Sequence, residues 1–197
     1  MLKKKIEAKA LTRRHGGQEL HRAMSNIIIQ SERLLFREFT TNDAPLIYSL
    51  NIHPEVVQYV HELPVTDMAS ATENLQRILT QYKEYGYGRW AVFTRDQNEF
   101  IGWCGLKYRP ERKEMDLGYR FIPQYWGKGY ATEAALATLR YGFETLQLAR
   151  IHAMAHIENP RSLKVLEKIG MQHIGYETVD TCPVKTYVII NHTGKSA

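Results

Sequence analysis

From Ile27 onward, apolar and polar positions follow patterns of two periods, and the switches between them divide the chain into elements. Arg33-Leu34-Leu35-Phe36-Arg37-Glu38-Phe39 predicts a strand. Thr40-Thr41-Asn42-Asp43 then offers N-cap side chains, and Pro45 is tolerated in a first turn, so a helix is expected to about Leu50. Pro54 opens a second, short helical piece. Beyond Pro64, Thr66 and Asp67 suit the cap of a longer helix with Met68, Ala71, Leu75, Ile78, Leu79 and Tyr82 on one face; Gly86 and Gly88 end it. Strands over Arg89–Thr94 and 100–108 flank the hairpin turn Asp96-Gln97-Asn98, and a third strand over 114–122 follows the turn at 110–113. A helix over 131–146, a strand over 151–157, a helix over 161–169 closed by Gly170, and strands over 171–179 and 186–190 complete the order. One strand, helices, a meander and then β-α-β-α-β-β imply a single mixed α/β sheet.

Composition adds little to that class. With 197 residues, 44% hydrophobic and 24% charged, the chain suits one domain with a sizeable core. Charge is more informative once divided. The first 22 residues hold seven bases (Lys3, Lys4, Lys5, Lys9, Arg13, Arg14, Arg22) against Glu7 and Glu19, which accounts for the whole net charge of +5. The rest is neutral. Residues 1–25 are therefore expected to be a flexible or non-native basic extension, with Met24 resembling a start, and 26–197 the folded domain. A basic arm can serve nucleic acid, but the sparse apolar content favours a solvated segment, so no nucleic-acid partner is expected. No apolar stretch follows Lys3-Lys4-Lys5, which argues against a signal peptide, and no window reaches the length of a membrane helix. Two cysteines, Cys104 and Cys182, read as free thiols in a reducing, cytoplasmic setting.

The chemistry concentrates between Asp116 and Ala135. There a predicted strand runs into a glycine-containing turn that opens a helix, an arrangement able to present backbone N–H groups and a helix N-terminus to an anion. Gly127 and Gly129 permit close backbone approach, and Lys128 adds charge. An ordinary strand-to-helix turn fits the same residues equally well. The spacing is neither the dinucleotide fingerprint nor a Walker loop; Gly194-Lys195-Ser196 fails as the latter because position 189 is Ile.

What the spacing does match is Gln124-x-x-Gly127-x-Gly129, which resembles the Gln/Arg-x-x-Gly-x-Gly/Ala signature of GNAT acetyltransferases. Two further segments extend the likeness toward the RimJ/RimL-like branch: Ser31-Glu-Arg-Leu-Leu-Phe-Arg-Glu-Phe39, and Asn159-Pro-Arg-Ser-Leu-Lys-Val-Leu-Glu-Lys-Ile-Gly-Met171. Three such matches, in order, span nearly all of the neutral body. The resemblance implies a GNAT fold, with a mostly antiparallel sheet splayed into a V between two parallel strands and flanked by helices. It also implies acetyl-CoA as co-substrate, with no metal. The pyrophosphate would lie on the amides of Trp126, Gly127, Lys128, Gly129, Tyr130 and Ala131, beside Gln124. Pantetheine would lie along Leu117, Gly118, Tyr119 and Phe121 and against Asn159. An amine, either a peptide N-terminus or a small amine, would be the acceptor, and dimers are frequent in the branch.

Direct transfer requires an oxyanion donor, an acid for the leaving thiolate and an acceptor for the amine's protons. A backbone N–H near Leu117–Tyr119 would serve the oxyanion. Many members of the family place a Tyr acid where this chain has Leu166; the branch implies Ser162 instead, a residue equally readable as a first-turn helix hydroxyl. Glu114 and Asp116 share one face of their strand, and Glu177 lies on a neighbouring one, so each is a candidate base. His152 and His156, four apart in a strand, would lie about 13 Å from each other and do not suit a shared zinc. Cys104 reads as packing, and Tyr82, Tyr85, Tyr87 and Trp90 as core or acceptor groove. The leading expectation is an acetyl-CoA-dependent N-acetyltransferase, the others a non-catalytic acetyl-CoA-binding module and a basic-armed nucleic-acid binder.

Overall fold

A computed structural model describes residues 27–60, 65–179 and 181–191. The expected extension 1–25 lies outside the described residues, as do positions 61–64 and 180. Strands β1 (Ile27–Gln30) and β2 (Leu34–Arg37) precede helices α1 (Ala44–Asn51), α2 (Pro54–Val57) and α3 (Met68–Tyr85). The meander β3 (Arg89–Thr94), β4 (Phe100–Arg109) and β5 (Glu114–Phe121) leads through a single 3-10 turn to α4 (Tyr130–Glu144). Then follow β6 (Arg150–His156), α5 (Pro160–Lys168), β7 (Gln172–Val179) and β8 (Cys182–Ile190). Every expected element forms within a few residues of its predicted ends. One strand was not anticipated: β1 has only four residues, too few for period-two alternation to register, and it pairs antiparallel with β2.

The eight strands order as β1-β2-β3-β4-β5-β6-β8-β7. All neighbours run antiparallel except β5 and β6, whose parallel pairing is confined to Asp116 opposite His152. Alternation along β5 sends Met115, Leu117 and Phe121 to one face, where they join Trp90, Leu106, Ile151 and Leu166 in a core packed against α4 and α5. Asp116, Gly118 and Arg120 point to the opposite face. There Ala91, Phe93 and Trp103 pack with Leu50, Ala71 and Leu75 of α1 and α3. Helix α3 starts where expected, because Asp67 and Ser70 form a reciprocal capping box, and Gly86 ends it at φ 74°. No helix among the described residues is long and apolar enough to cross a membrane.

The centre of the second face is bare by necessity. Gly105 and Gly118 sit opposite each other across β4 and β5, and a Cβ on Gly118 would lie 3.1 Å from the Arg89 guanidinium. That guanidinium fills the strip, stacked 4.4 Å over Trp103. Gly105 has no room at all. A Cβ there would collide with the Gly88 carbonyl and sit 2.6 Å from the Arg89 Cα, both rigid backbone. Gly105→Ala is therefore expected to destabilise the fold by about 1–3 kcal/mol, the usual cost of overpacking, visible as a lowered urea midpoint at unchanged slope.

Candidate active site

The two strands of the parallel pair meet once and then diverge. Beyond Asp116 and His152, the facing edges of Leu117–Phe121 and Ala153–His156 carry no ladder pairing to each other, while their outer edges are paired to β4 and β8. Backbone donors and acceptors on both arms of the resulting V are thus offered to whatever enters it, a requirement met by a ligand with amide groups of its own. At the wide end stands the glycine turn. Gly127 (φ 76°) and Gly129 (φ 83°) hold left-handed conformations, and a Cβ on Gly127 would meet nothing within 4 Å. Gly129 is the N-cap of the 15-residue α4 and provides no side-chain cap, so the first-turn amides face outward. These features fit a pyrophosphate followed by a peptide-like arm.

A clamp secures this turn from the far edge of the sheet. Glu133, in the first turn of α4, accepts from Ser31 Oγ (2.8 Å), from the Arg33 amide (2.7 Å) and from Arg33 Nε (2.6 Å). The same guanidinium donates to the Lys128 carbonyl at 3.0 Å and lies 4.6 Å over the Tyr130 ring. Partial burial opposes the Glu133 charge, but these bonds more than offset it and hold the carboxyl below its ordinary value. The Ser31-Glu-Arg33 segment thus has a mechanical reason to be where it is. Lys128 itself leans toward the Tyr125 ring, 5.5 Å away, and Gln124 is exposed beside it. Trp126 donates its indole N–H to the Phe121 carbonyl at 2.6 Å and so buttresses the turn from within.

At the other arm, Asn159 caps α5 by accepting the Ser162 amide at 3.1 Å. Ser162 has a partner that sequence reasoning assigned only to the ligand arm. The Tyr119 hydroxyl lies 2.9 Å from Ser162 Oγ and donates to the Ser162 carbonyl at 3.1 Å. Burial lifts the Tyr119 hydroxyl above its usual range, with the Ser162 bond pulling the other way. Leu166, where many family members place an acid, is instead core, 1% exposed. Leu117 and Phe121 also turn their side chains into the core, leaving only their backbone for a ligand.

The candidate carboxylates part company. Asp116 is buried beside two guanidiniums, its Oδ2 3.4 Å from Arg109 and 3.7 Å from Arg89; burial raises its pKa against their pull. Glu177 is gripped by both terminal nitrogens of Arg112, at 2.6 and 2.9 Å, and held below its ordinary value by that contact. Arg112 Nε reaches Glu114 at 2.8 Å, so one arginine joins Glu114 and Glu177. His152 stands 3.7 Å from Glu114 and belongs to this group. Its connection was invisible in sequence, where the only question put to it concerned zinc. Cys104 is fully buried, its thiol pushed up to about 12 by that burial and 3.3 Å from Thr138 Oγ1, as suits a packing residue.

Residues 33–172 match the model of an acetyltransferase (GNAT) domain. The chain belongs to the GNAT acetyltransferases. It is 32% identical over 148 residues to an uncharacterised N-acetyltransferase of Bacillus licheniformis, p20, covering 75% of this chain and 83% of that one. A GNAT-family acetyltransferase of Bacillus anthracis superposes with a TM-score of 0.71 at 31% identity, over 82% and 97% of the two chains. A RimL ribosomal-protein acetyltransferase solved with coenzyme A shares the fold at TM-score 0.71 and 20% identity, over 84% and 98%. The GNAT family uses acetyl-CoA.

The clamp yields a test. Arg33→Ala frees the turn without touching the V, so the KM for acetyl-CoA should rise about three- to tenfold, as befits an exposed charged contact, with kcat nearly unchanged. Because the Glu133 carboxyl is held below its ordinary 4.5, the clamp's contribution is complete above that value and is lost as pH falls through the lowered one. Thermal-shift titrations with coenzyme A at descending pH would read that loss in the parent chain and find it smaller in the variant, which keeps the Ser31 and Arg33 amide bonds to Glu133.

Proposed function

We propose that this GNAT enzyme transfers the acetyl group of acetyl-CoA directly to a primary amine, with a protein N-terminus of the ribosomal-protein kind as acceptor. The observation that carries this is the presence, beside the V, of an open groove of about 480 Å³ on the sheet face opposite α4. Glu73, Gln76 and Arg77 of α3 line one side of it, Lys107 and Tyr108 of β4 the other, with Tyr85 between them. Lys107, on the groove wall, is the cross-strand partner of Asp116, which stands at the vertex one strand away. Its openness, with the acidic Glu73 and Glu84 and the basic Arg77 and Lys107 on its walls, suits a peptide; an enclosed apolar cavity would have suited a small apolar amine. Of the four aromatic residues proposed as groove or core, Tyr85 lines the groove, whereas Trp90 is buried.

When bound, acetyl-CoA supplies an activated acyl group. The chain supplies a backbone N–H from the Leu117–Tyr119 stretch to the oxygen on which charge develops. Ser162 and Tyr119 together supply the proton for the departing sulfur, a hydroxyl pair in which one member recharges the other. This hydroxyl pair removes the principal argument for the binding-module reading, namely that Leu166 leaves the site without an acid.

The deciding assay follows thiol release from acetyl-CoA with two acceptor pools, N-terminal peptides of ribosomal proteins and a set of polyamines, amino acids and aminoglycosides. Turnover with the peptides alone is expected. Turnover with the second pool alone assigns a small-amine enzyme, and silence with both removes direct transfer. Tyr119→Phe should lower kcat by about 10²-fold, the lower end of general acid catalysis, while leaving the KM for acetyl-CoA within about twofold.

A further inference from the structure

We infer that His152 is the base of the reaction: its Nε2 takes the proton that the acceptor ammonium must lose. This rests on the transfer reading above and adds a base to it. His152 sits at the vertex of the V, the one position of β6 paired to β5, opposite Asp116 and on the same face of the sheet as the acceptor groove. Only 13% of its side chain is exposed. Nδ1 lies 3.7 Å from Glu114 Oε1, whereas Nε2 is buried and has no hydrogen-bond partner. A buried ring nitrogen without a partner is costly in a structural histidine. With Nδ1–H turned toward Glu114, the tautomer leaves a lone pair on Nε2.

Charged groups from three segments surround the imidazole. From β5 it faces Glu114 and Asp116; from the β4–β5 turn, Arg112; from β7, Glu177, which interacts with it by charge. Its partner on β8 is the neutral Val188. Two carboxylates against the single Arg112 leave net negative charge beside the ring. Asp116 is balanced separately by Arg89 and Arg109. The three acids are each engaged by a guanidinium, which orients them around the histidine.

The proton count closes. An alkylammonium gives one proton to Nε2 and its freed lone pair forms the C–N bond to the acetyl carbon as the C–S bond breaks. The amide nitrogen sheds a second proton, which balances the one delivered to sulfur by Tyr119 and Ser162. The imidazolium returns its proton to water, and Glu114 keeps the ring in place throughout.

The test uses the full chain, acetyl-CoA and the acceptor pool turned over in the assay above. His152→Gln keeps a similar shape and should lower kcat about 10²- to 10³-fold near neutral pH. Coenzyme A should stabilise the variant against heat as it does the parent. The gap should close as pH rises past the acceptor's own pKa, about 8 for a peptide N-terminus or about 10 for an alkylamine, because the amine then arrives already neutral. A parent active with either pool, beside a His152→Gln variant of unchanged rate or one slowed equally at every pH, overturns the assignment alone. A parent silent with both pools overturns the transfer reading and this role with it.

Discussion

A parallel pair of strands that closes at one position and opens everywhere else is the constraint on which this molecule turns. Beyond Asp116 and His152, β5 and β6 forgo the ladder bonds that a continuous sheet would make, and their peptide groups must find other partners. The sheet tolerates this because each arm is anchored on its outer edge, β5 by an eight-residue register with β4 and β6 by a seven-residue register with β8. The gap is therefore rigid, flanked by the turn of α4 at its mouth and by α5 along one arm.

Magnitudes separate what holds the fold from what serves the site. Fully buried side chains such as Trp90, Phe36, Leu34 and Ile151 each contribute about 1.5–3 kcal/mol, and there are enough of them on both sheet faces to account for the fold. Charged groups packed together at the vertex do not contribute on that scale, since desolvation roughly cancels their attraction. The arginines that surround Asp116, Glu114 and Glu177 are better understood as fixing carboxylates in place than as stabilising the chain. The same holds for Arg33, whose side chain is largely exposed, yet it makes contacts to both the glycine turn and the helix that follows it.

Most of the architecture was legible because its signals are local. Period-two runs gave the strands, Asp67 and Gly86 marked the ends of α3, and the spaced Gln124, Gly127 and Gly129 pointed to the turn before any contact was known. What escaped was of two kinds. Strand β1 is too short to carry a pattern and exists because β2 offers it an edge. The side-chain groupings at the site span long stretches of chain: Tyr119 and Ser162 are 43 residues apart, and Arg112 and Glu177 are 65 apart. No spacing rule reaches across such distances. The face shared by Glu114 and Asp116 was foreseeable from alternation, but their arginine partners and the orphaned nitrogen of His152 required the folded sheet.

The position of Tyr119 has a consequence for tolerance to motion. A hydroxyl mounted on α5 would keep its distance from the V only as well as a helix keeps its seat on a sheet, and packed helices slide by an ångström or more when neighbours change. Tyr119 is instead rooted in β5, two residues along from Leu117 and so within about 7 Å of it by backbone geometry alone. The strand that forms one arm of the V and the Tyr119 hydroxyl are one piece of backbone. Drift in sequence on the outer surface of α5, away from Ser162, can then alter stability and surface character without detuning that distance.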